Sequence, residues 1–212
     1  MLPGSKGKLP SSREKNISNR LLSKVSAIKK KFNEYRFSNI CLKGATFSGC
    51  GFKNCNFYGV DFVGANLKKC NFSGSKFVRC IFVGVRVSGS NFKGATFENC
   101  TFVNQSFEKS KNFVHPDFSA MQYPTQVGGL SVRELFAHLD ELIPGRFRYA
   151  RLVKLKGGKV NNLTLYLLIR RFTEDVLECK LRLCVESNVR QIFPAKIYSY
   201  RAFEKIIDSV QV

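Results

Sequence analysis

Large apolar residues recur at every fifth position through the centre of the chain. They are Phe37, Leu42, Phe47, Phe52, Phe57, Phe62, Leu67, Phe72, Phe77, Phe82, Val87, Phe92, Phe97, Phe102 and Phe107. A second, mostly small set lies two residues before each of them, as at Ala45, Cys50 and Val60. A period of five fits neither a helix nor a plain strand, so each unit must join a short extended piece to a turn. Stacked units of this kind predict a solenoid, because one repeat could not bury its apolar residue alone.

Turn residues follow the same period. Glycine dominates two positions after each apolar centre, and Asn or Asp recurs just before the centre. The segments Ala45-Thr46-Phe47-Ser48-Gly49 and Ala65-Asn66-Leu67-Lys68-Lys69 resemble the motif of the pentapeptide-repeat family. This resemblance implies a right-handed quadrilateral β-helix with four repeats per turn, about four coils over residues 35–120, with the two apolar sets pointing inward. It implies little about function, since the family includes DNA-mimicking topoisomerase binders and bacterial effectors.

Four repeats per coil bring residues twenty apart onto the same face, about 4.8 Å from one another. Cys50 would then stack on Cys70, and Cys80 on Cys100. We interpret these cysteines as small apolar core residues that stay reduced; a metal or redox ladder is the alternative. None of the eight cysteines has the paired CxxC spacing of a zinc site, so we predict neither a metal nor a cofactor.

The same stacking aligns apolar residues on the outside of one face, at Val63, Val83 and Val103 with Ile81 beside them. An aligned apolar strip on a β surface usually has something packed against it. We expect another part of this chain to cover it, and an external protein partner is the alternative.

The N-terminal flank divides into two parts by composition. Residues 1–18 predict a disordered basic arm. Residues 19–34 predict an amphipathic helix, because Leu21, Leu22, Val25, Ile28 and Phe32 follow helical spacing. We expect this helix to cap the first coil of the solenoid; a helix lying on a membrane surface is the alternative.

The C-terminal flank, residues 121–212, predicts a small α+β domain of order α-β-β-β-β-α. Ser131 and Glu134 form a capping-box pattern ahead of the first helix, which Pro144 and Gly145 would end. Four alternating segments follow, around 147–155, 163–169, 177–185 and 189–198, with a turn at 157–158. A closing helix then places Ala202, Phe203, Ile206 and Ile207 on its apolar side.

Residues suited to catalysis are scarce. The chain has two histidines, His115 where the repeat breaks and His138 inside a predicted helix. It contains no glycine-rich phosphate loop, no His-Glu metal helix and no Gly-x-Ser-x-Gly elbow. We therefore predict a binding or scaffold protein rather than an enzyme, with no catalytic residues.

The charge indicates the class of partner. The formal net charge is +20, and the excess lies mainly in the first 111 residues, which hold 20 basic and 5 acidic residues. Such a surface attracts nucleic acid, an anionic membrane surface or an acidic protein. Residues 146–171 add eight basic residues and no acid. The predicted polyanion contacts are Lys29, Lys30, Lys31, Lys68, Lys69, Lys76, Arg79, Arg86, Arg146, Arg148, Lys154, Lys156, Arg170 and Arg171.

These observations predict a basic scaffold that contacts nucleic acid or a nucleoprotein assembly with little base specificity. The alternative is a protein–protein adaptor or effector that uses the solenoid faces, with a membrane surface as one place where it could act. No stretch of 18 apolar residues exists, so we expect no transmembrane helix. We expect an intracellular protein, cytoplasmic or associated with nucleic acid; the basic, Ser-rich N-terminus keeps organellar import as an alternative.

Overall fold

The computed structural model describes residues 14–115, 118–143, 151–187 and 199–211. The chain divides into two compact units, Met1–Gln122 and Tyr123–Val212. The first unit is a parallel β-solenoid of about five turns, and the second is a helical region with four helices among its described residues.

Short strands build the solenoid, and in each three-residue strand the middle residue is buried. The strands are β1 (Asn16–Ser18), β2 (Ser26–Ile28), β3 (Arg36–Ser38), β4 (Thr46–Ser48), β5 (Asn56–Tyr58), β6 (Asp61–Val63), β7 (Lys76–Val78), β8 (Ile81–Val83), β9 (Thr96–Glu98), β10 (Thr101–Val103) and β11 (Ala120–Met121). Alternation of side chains along each strand places one large apolar residue inside and its two neighbours outside.

Parallel pairing with a shift of twenty residues defines four faces. Face 1 is the sheet β1-β3-β5-β7-β9, in which Phe37 pairs with Phe57 and Phe57 with Phe77. Face 2 contains β6-β8-β10-β11, and face 3 contains β2 and β4 continued by bridges to Asn66 and Arg86. Face 4 is a ladder of single bridges through Lys31, Gly51, Asn71, Asn91 and Lys111. The predicted four-sided β-helix with four repeats per turn is confirmed.

Stacked phenylalanines fill the interior, as the repeat predicted. Phe52 stacks on Phe72 with ring centroids 5.1 Å apart, and Phe72 stacks on Phe92 at the same 5.1 Å distance. The five-residue register breaks after Phe107, where Phe113 stacks on that ring at 3.9 Å. Phe113 therefore lies over the end of the aromatic column.

The β-helix begins earlier than the sequence predicted. Residues 19–34 do not form an amphipathic helix, because β1 and β2 already belong to the first coil. Ile17 pairs with Phe37, and Ile17, Leu22, Ala27 and Phe32 extend the five-residue series of buried centres. The solenoid thus has about five turns rather than four. The predicted arm overlaps this coil from residue 14 onward, and its residues 1–13 lie outside the described part.

The second unit has helices at two places where strands were predicted. Its helices are α1 (Leu130–Leu142), α2 (Asn162–Phe172), α3 (Glu174–Glu186) and α4 (Tyr200–Ser209). The prediction of strands over 163–169 and 177–185 is wrong, since these segments lie in α2 and α3. In 151–155 a single antiparallel bridge joins Lys154 to Val160 around the predicted 157–158 turn. Residues 147–150 and 189–198 lie outside the described residues.

The helical unit has its own apolar core, formed where α1 and α3 pack together and joined by α2 and α4. Phe136, Leu139, Leu168, Leu181 and Ile207 are buried there. The predicted closing helix is confirmed as α4, with Phe203 and Ile207 buried. No helix among the described residues is long and apolar enough to cross a membrane.

The start of α1 differs from the predicted capping box. Its N-cap is Gly129, which lacks a side-chain cap, and the Ser131 hydroxyl donates to Glu178 Oε1 at 2.7 Å instead. The Gly129 N–H donates to Glu174 Oε1, so two carboxylates of α3 face the first turn of α1. Carboxylates at a helix N-terminus are favourable because they oppose its partial positive charge.

Candidate polyanion interface

Acidic side chains of the β-helix lie mainly on faces 1 and 2 and at their corners, where they pair with basic neighbours. The ion pairs are Lys15 with Glu34 at 2.7 Å, Lys76 with Glu98 at 2.5 Å, and Arg20 with Glu14 at 2.9 Å. The Glu34 carboxylate, hydrogen-bonded to Lys15, has its pKa lowered by that contact. The charges on this side of the solenoid are therefore partly neutralised within the chain.

Faces 3 and 4 and the corner between them carry ten exposed basic side chains, which we call the basic edge. They are Lys29, Lys30, Lys31, Lys53, Lys68, Lys69, Arg86, Lys93, Lys109 and Lys111. Glu108 is the one acidic residue on these two faces within the described residues. None of the ten forms an ion pair with another described residue. The basic edge is thus a coherent positive surface.

A column of corner residues runs along the middle of the basic edge and alternates lysine with glycine: Lys29, Gly49, Lys69, Gly89 and Lys109. The backbone is left-handed at Lys29 (φ 53°) and Lys69 (φ 57°), as it is at the two glycines. Glycine adopts this conformation without cost, whereas a lysine pays about 1 kcal/mol or more for it. Lysine therefore occupies corner positions where the fold itself favours glycine.

Hydrogen-bonded amides line face 4 between its lysines. Asn33 Oδ1 accepts from the Lys53 N–H at 3.0 Å, and Asn91 Oδ1 accepts from the Lys93 N–H at 3.1 Å. Between them, Asn91 Nδ2 donates to Ser73 Oγ at 3.1 Å. These hydrogen bonds hold the backbone of Lys53 and Lys93 in place. They also occupy much of the hydrogen-bonding capacity of the amides.

The predicted contacts fall on different surfaces of the β-helix. Lys29, Lys30, Lys31, Lys68, Lys69 and Arg86 lie on the basic edge. Lys76 lies on face 1, paired with Glu98, and Arg79 lies at the corner between faces 1 and 2. The prediction did not include Lys53, Lys93, Lys109 and Lys111. Grouping basic residues by their spacing of twenty would have placed them beside the others.

In the helical unit the predicted basic residues do not form one strand face within the described residues. Lys154 approaches Glu141 at 3.5 Å, and Arg171 pairs with Asp208 at 3.5 Å. The Arg170 guanidinium lies 5.7 Å from the centre of the Tyr166 ring, and Lys156 is exposed beside the 157–158 turn. Arg146 and Arg148 lie outside the described residues. The role of this group as a polyanion contact stays a prediction.

The predicted apolar strip lies on face 2. Ile81 and Val103 are buried, while Val63 and Val83 are half-buried. Strand β11 continues the same column, because Val103 pairs with Met121. What packs against the outer side of this strip stays a prediction.

Six of the eight free cysteines belong to the β-helix, and five of these six are buried. Burial raises the pKa of the Cys41 and Cys55 thiols to about 11. A hydrogen bond with the Cys70 side chain lowers the pKa of Cys50 to about 7. No group of His, Cys, Asp or Glu among the described residues has an arrangement that could hold a metal ion. The absence of a bound metal and the reduced state of the thiols both stay predictions.

Comparison with known proteins adds a family match for the repeat. Residues 30–107 and 50–122 match the family described as pentapeptide repeat region. No curated protein sequence matches the chain.

Three solved structures are similar to this chain: two are pentapeptide repeat proteins and one is a plasmid-mediated fluoroquinolone resistance protein. A pentapeptide repeat protein of the cyanobacterium Cyanothece 51142 is 12% identical, covers 51% of this chain and 88% of its own, and has a TM-score of 0.41. A pentapeptide repeat protein of the Arabidopsis thaliana thylakoid lumen is 18% identical. The match covers 82% of this chain and 96% of that protein, with a TM-score of 0.38. The plasmid-mediated fluoroquinolone resistance protein QnrB1 is 18% identical. The match covers 45% of this chain and 49% of that protein, with a TM-score of 0.27.

The family match and the coil geometry describe the same segment of the chain. Parallel pairing at intervals of twenty and inward apolar residues at every fifth position extend through the matched residues. Residues 30–122 of this chain therefore match a pentapeptide repeat region, and their coils have the geometry of such repeats.

Proposed function

We propose that this protein is a non-enzymatic scaffold that binds a polyanion, nucleic acid in particular, through its basic edge. The observation that carries the proposal is the separation of charge on the β-helix. Among the described residues, ten exposed cations share faces 3 and 4 and the corner between them with a single acid, while the ion pairs lie on face 1 and at the corners that border it. Pentapeptide-repeat proteins generally have structural or interaction roles, which agrees with this proposal.

Electrostatics favours a polyanion on this surface. Neighbouring coils are about 4.8 Å apart, so several cations of the basic edge lie within one Debye length, about 8–10 Å at physiological salt. Like charges at such distances repel one another and oppose the compact state. A row of phosphates relieves this repulsion and releases its own counterions, which favours binding.

The chemistry of the basic edge supports contacts to the phosphate backbone rather than to the bases. Nine of its ten residues are lysines, which act as flexible point charges and lack the planar fork of arginine. The amides of Asn33 and Asn91 on face 4 already accept backbone N–H groups. We therefore infer affinity with little base specificity, since phosphate contacts carry no direct sequence information.

Salt dependence tests the proposal. We expect log affinity for a mixed-sequence duplex to fall linearly with log salt, with a slope of about −0.9 for each phosphate neutralised on B-DNA. Replacing Lys68, Lys69 and Arg86 together with Gln should weaken binding and make that slope shallower. The matched control replaces Arg36, Lys76 and Arg79 with Gln, which removes the same charge from face 1 and its corner.

Two results would contradict the proposal. The first is no measurable binding of duplex DNA or RNA at roughly 50 mM salt, where phosphate contacts are strong. The second is an equal loss of affinity in the basic-edge variant and the control, which would mean that net charge alone attracts the ligand. A protein captured from solution and retained at high salt, without any nucleic-acid affinity, would favour the adaptor alternative.

A further inference from the structure

We infer that the corner between faces 3 and 4 docks as a ridge into a groove of a nucleic-acid duplex, with Lys29, Lys69 and Lys109 forming a row along its crest. The inference rests on the proposed function and specifies the form of the nucleic acid and the way it lies on the protein.

The crest has a regular spacing that follows from the alternation of lysine and glycine. Consecutive lysines of the row are forty residues, or two coils, apart, which corresponds to about 9.6 Å. The row from Lys29 to Lys109 therefore extends for about 19 Å along the solenoid. Lysines at Gly49 and Gly89 as well would halve that spacing and bring like charges closer together.

Glycine also helps to direct the lysine side chains. A Cβ placed on Gly49 would lie 3.5 Å from Lys29 Cγ, and one on Gly89 would lie 3.4 Å from Lys69 Cγ. Each of these lysine stems therefore runs over the glycine of the next coil, along the crest. At the end of the row the pairing shifts by one residue. The Lys29, Gly49 and Lys69 N–H groups each donate to the carbonyl nineteen residues on, whereas the Gly89 N–H donates to the Lys109 carbonyl at 2.7 Å, and the backbone at Lys109 is not left-handed.

Both slopes of the ridge carry further cations next to the crest. Lys68 precedes the crest on face 3, and Lys31 and Lys111 follow it on face 4 in line with Asn71 and Asn91. A groove of duplex nucleic acid is concave and has a phosphate backbone along each rim. The major groove of B-DNA, about 12 Å wide and 8.5 Å deep, admits a protein element of this kind.

The same shape disfavours two other polyanions. A planar membrane surface would contact the crest. Faces 3 and 4 slope away from such a plane, so Lys53, Lys93 and Arg86 would not reach it. Binding of single strands generally depends on aromatic side chains that stack with the bases. On the described outer surfaces of faces 3 and 4 no aromatic side chain is present. Duplex nucleic acid is therefore the polyanion that uses both slopes.

The experiment compares four probes at equal salt: a mixed-sequence duplex DNA, a duplex RNA, the single DNA strand and vesicles containing phosphatidylserine. The row variant replaces Lys29, Lys69 and Lys109 with Gln, and the control replaces Arg36, Lys76 and Arg79 with Gln. A third variant, with Arg at the three row positions, keeps the charge. Thermal unfolding and circular dichroism check that all three retain the β-helix.

We expect duplex affinity at about 100 mM salt to fall at least tenfold in the row variant and no more than about threefold in the control. If each row lysine neutralises one phosphate, the slope of log affinity against log salt should become shallower by about 2.7 on B-DNA. The Arg variant should bind like the original protein. The DNA and RNA arms identify which duplex is preferred, and tight binding of either supports the inference.

Other outcomes overturn it. Equal losses in the row variant and the control, a single strand bound as tightly as the duplexes, or vesicles bound more tightly than either duplex would each exclude groove docking. In the first case a larger loss in the variant of Lys68, Lys69 and Arg86 than in the control, and in the second case the binding of nucleic acid itself, would leave the proposed function standing, so the two failures are distinguishable. Absence of binding to every nucleic-acid probe would overturn both.

Discussion

Phe57 and Phe77 stack face to face in neighbouring coils, with ring centroids 4.8 Å apart and ring planes 5° apart. The distance equals the spacing of paired parallel strands, so the rings repeat with the backbone. Phe97 adds the next ring at 4.8 Å, again with planes 5° apart. Phe77 thus has a stacked ring on both sides, and the stability of the solenoid depends on filling this column.

Replacing Phe77 with Ala should lower the free energy of unfolding by about 3–5 kcal/mol, because the cavity lies between two rings that the backbone holds in register. Phe77→Leu should cost less, since Leu refills part of the volume. Urea unfolding followed by circular dichroism measures both. A loss below about 1 kcal/mol for the alanine variant would mean that the rings are not closely packed.

The second prediction concerns a buried hydroxyl at the small inward position of the repeat. Ser90 Oγ accepts the Cys70 N–H at 3.1 Å and donates to the Leu67 carbonyl. Ser90→Ala removes both partners from a buried site and should lower the free energy of unfolding by about 1–3 kcal/mol. Ser90→Cys should cost less, because Cys70 itself donates to the Phe47 carbonyl at the equivalent position.

Ser88→Ala is the matched control for Ser90, since Ser88 is exposed two residues earlier. Its effect should stay within about 0.5 kcal/mol. Similar losses at the two positions would indicate that the internal hydroxyl is not needed to satisfy the backbone.

The central coils could be predicted from the sequence because the five-residue period determines both burial and register. The first coil shows why the prediction failed nearby. Leu22 and Phe32 satisfy helical and five-residue spacing alike, and Ala27 is a small residue at a position that is usually large. Basic residues also replace the small inward residue, as at Lys30. This segment forms a coil of the β-helix rather than a helix because it pairs with the next coil, as Ile17 does with Phe37.

In the helical unit two periods compete within one segment. Leu177, Cys179, Leu181 and Leu183 alternate as in a strand, and this alternation led to the wrong prediction. The buried apolar residues are Leu177, Leu181 and Cys184, with a helical spacing of four and three, while Cys179 is exposed. Short apolar runs are ambiguous in this way, and packing against α1 selects the helix.

The basic edge could be predicted in part. Its members in the charge-dense segments around Lys30 and Lys68 were identified, but Lys53 and Lys93 stand alone in the sequence. Only stacking at intervals of twenty brings them onto one face. The ion pair between Lys76 and Glu98 was not predicted either, because the two residues are 22 positions apart and meet across adjacent coils.

The third prediction separates stability from binding at the crest. Lys69 has a left-handed backbone, so Lys69→Gly relieves about 1–2 kcal/mol of strain in the folded state. Glycine also gives the unfolded chain more conformational freedom, which offsets part of this gain in stability. We expect the free energy of unfolding to rise by up to about 1 kcal/mol while duplex affinity falls.

Lys68→Gly is the control, since it removes the same charge one residue earlier, where the backbone is not left-handed. It should lower stability by about 0.5–1 kcal/mol. Chemical unfolding and fluorescence anisotropy on the same preparations measure both effects. If Lys69→Gly is as destabilising as Lys68→Gly, the left-handed corner does not disfavour lysine.

The last prediction concerns the reactivity of the thiols. Cys179 is exposed on α3, whereas Cys55 is fully buried and burial raises its pKa to about 11. At pH 8 a thiol with that pKa is about one part in a thousand thiolate, and the thiolate is the reactive form. Cys50 has a pKa of about 7, lowered by its contact with Cys70, but it is 1% exposed, so a reagent reaches it only after the coil opens. Cys100 is half-buried, and a hydrogen bond with the Cys80 side chain lowers its pKa, so it should react more slowly than Cys179 but before the buried thiols. Folded protein treated with Ellman's reagent at pH 8 should therefore show one fast thiol, which Cys179→Ser abolishes, and one slower thiol, which Cys100→Ser abolishes, and unfolding should release the rest. Fast reaction of several thiols in the folded Cys179→Ser variant would show that the core of the β-helix opens readily.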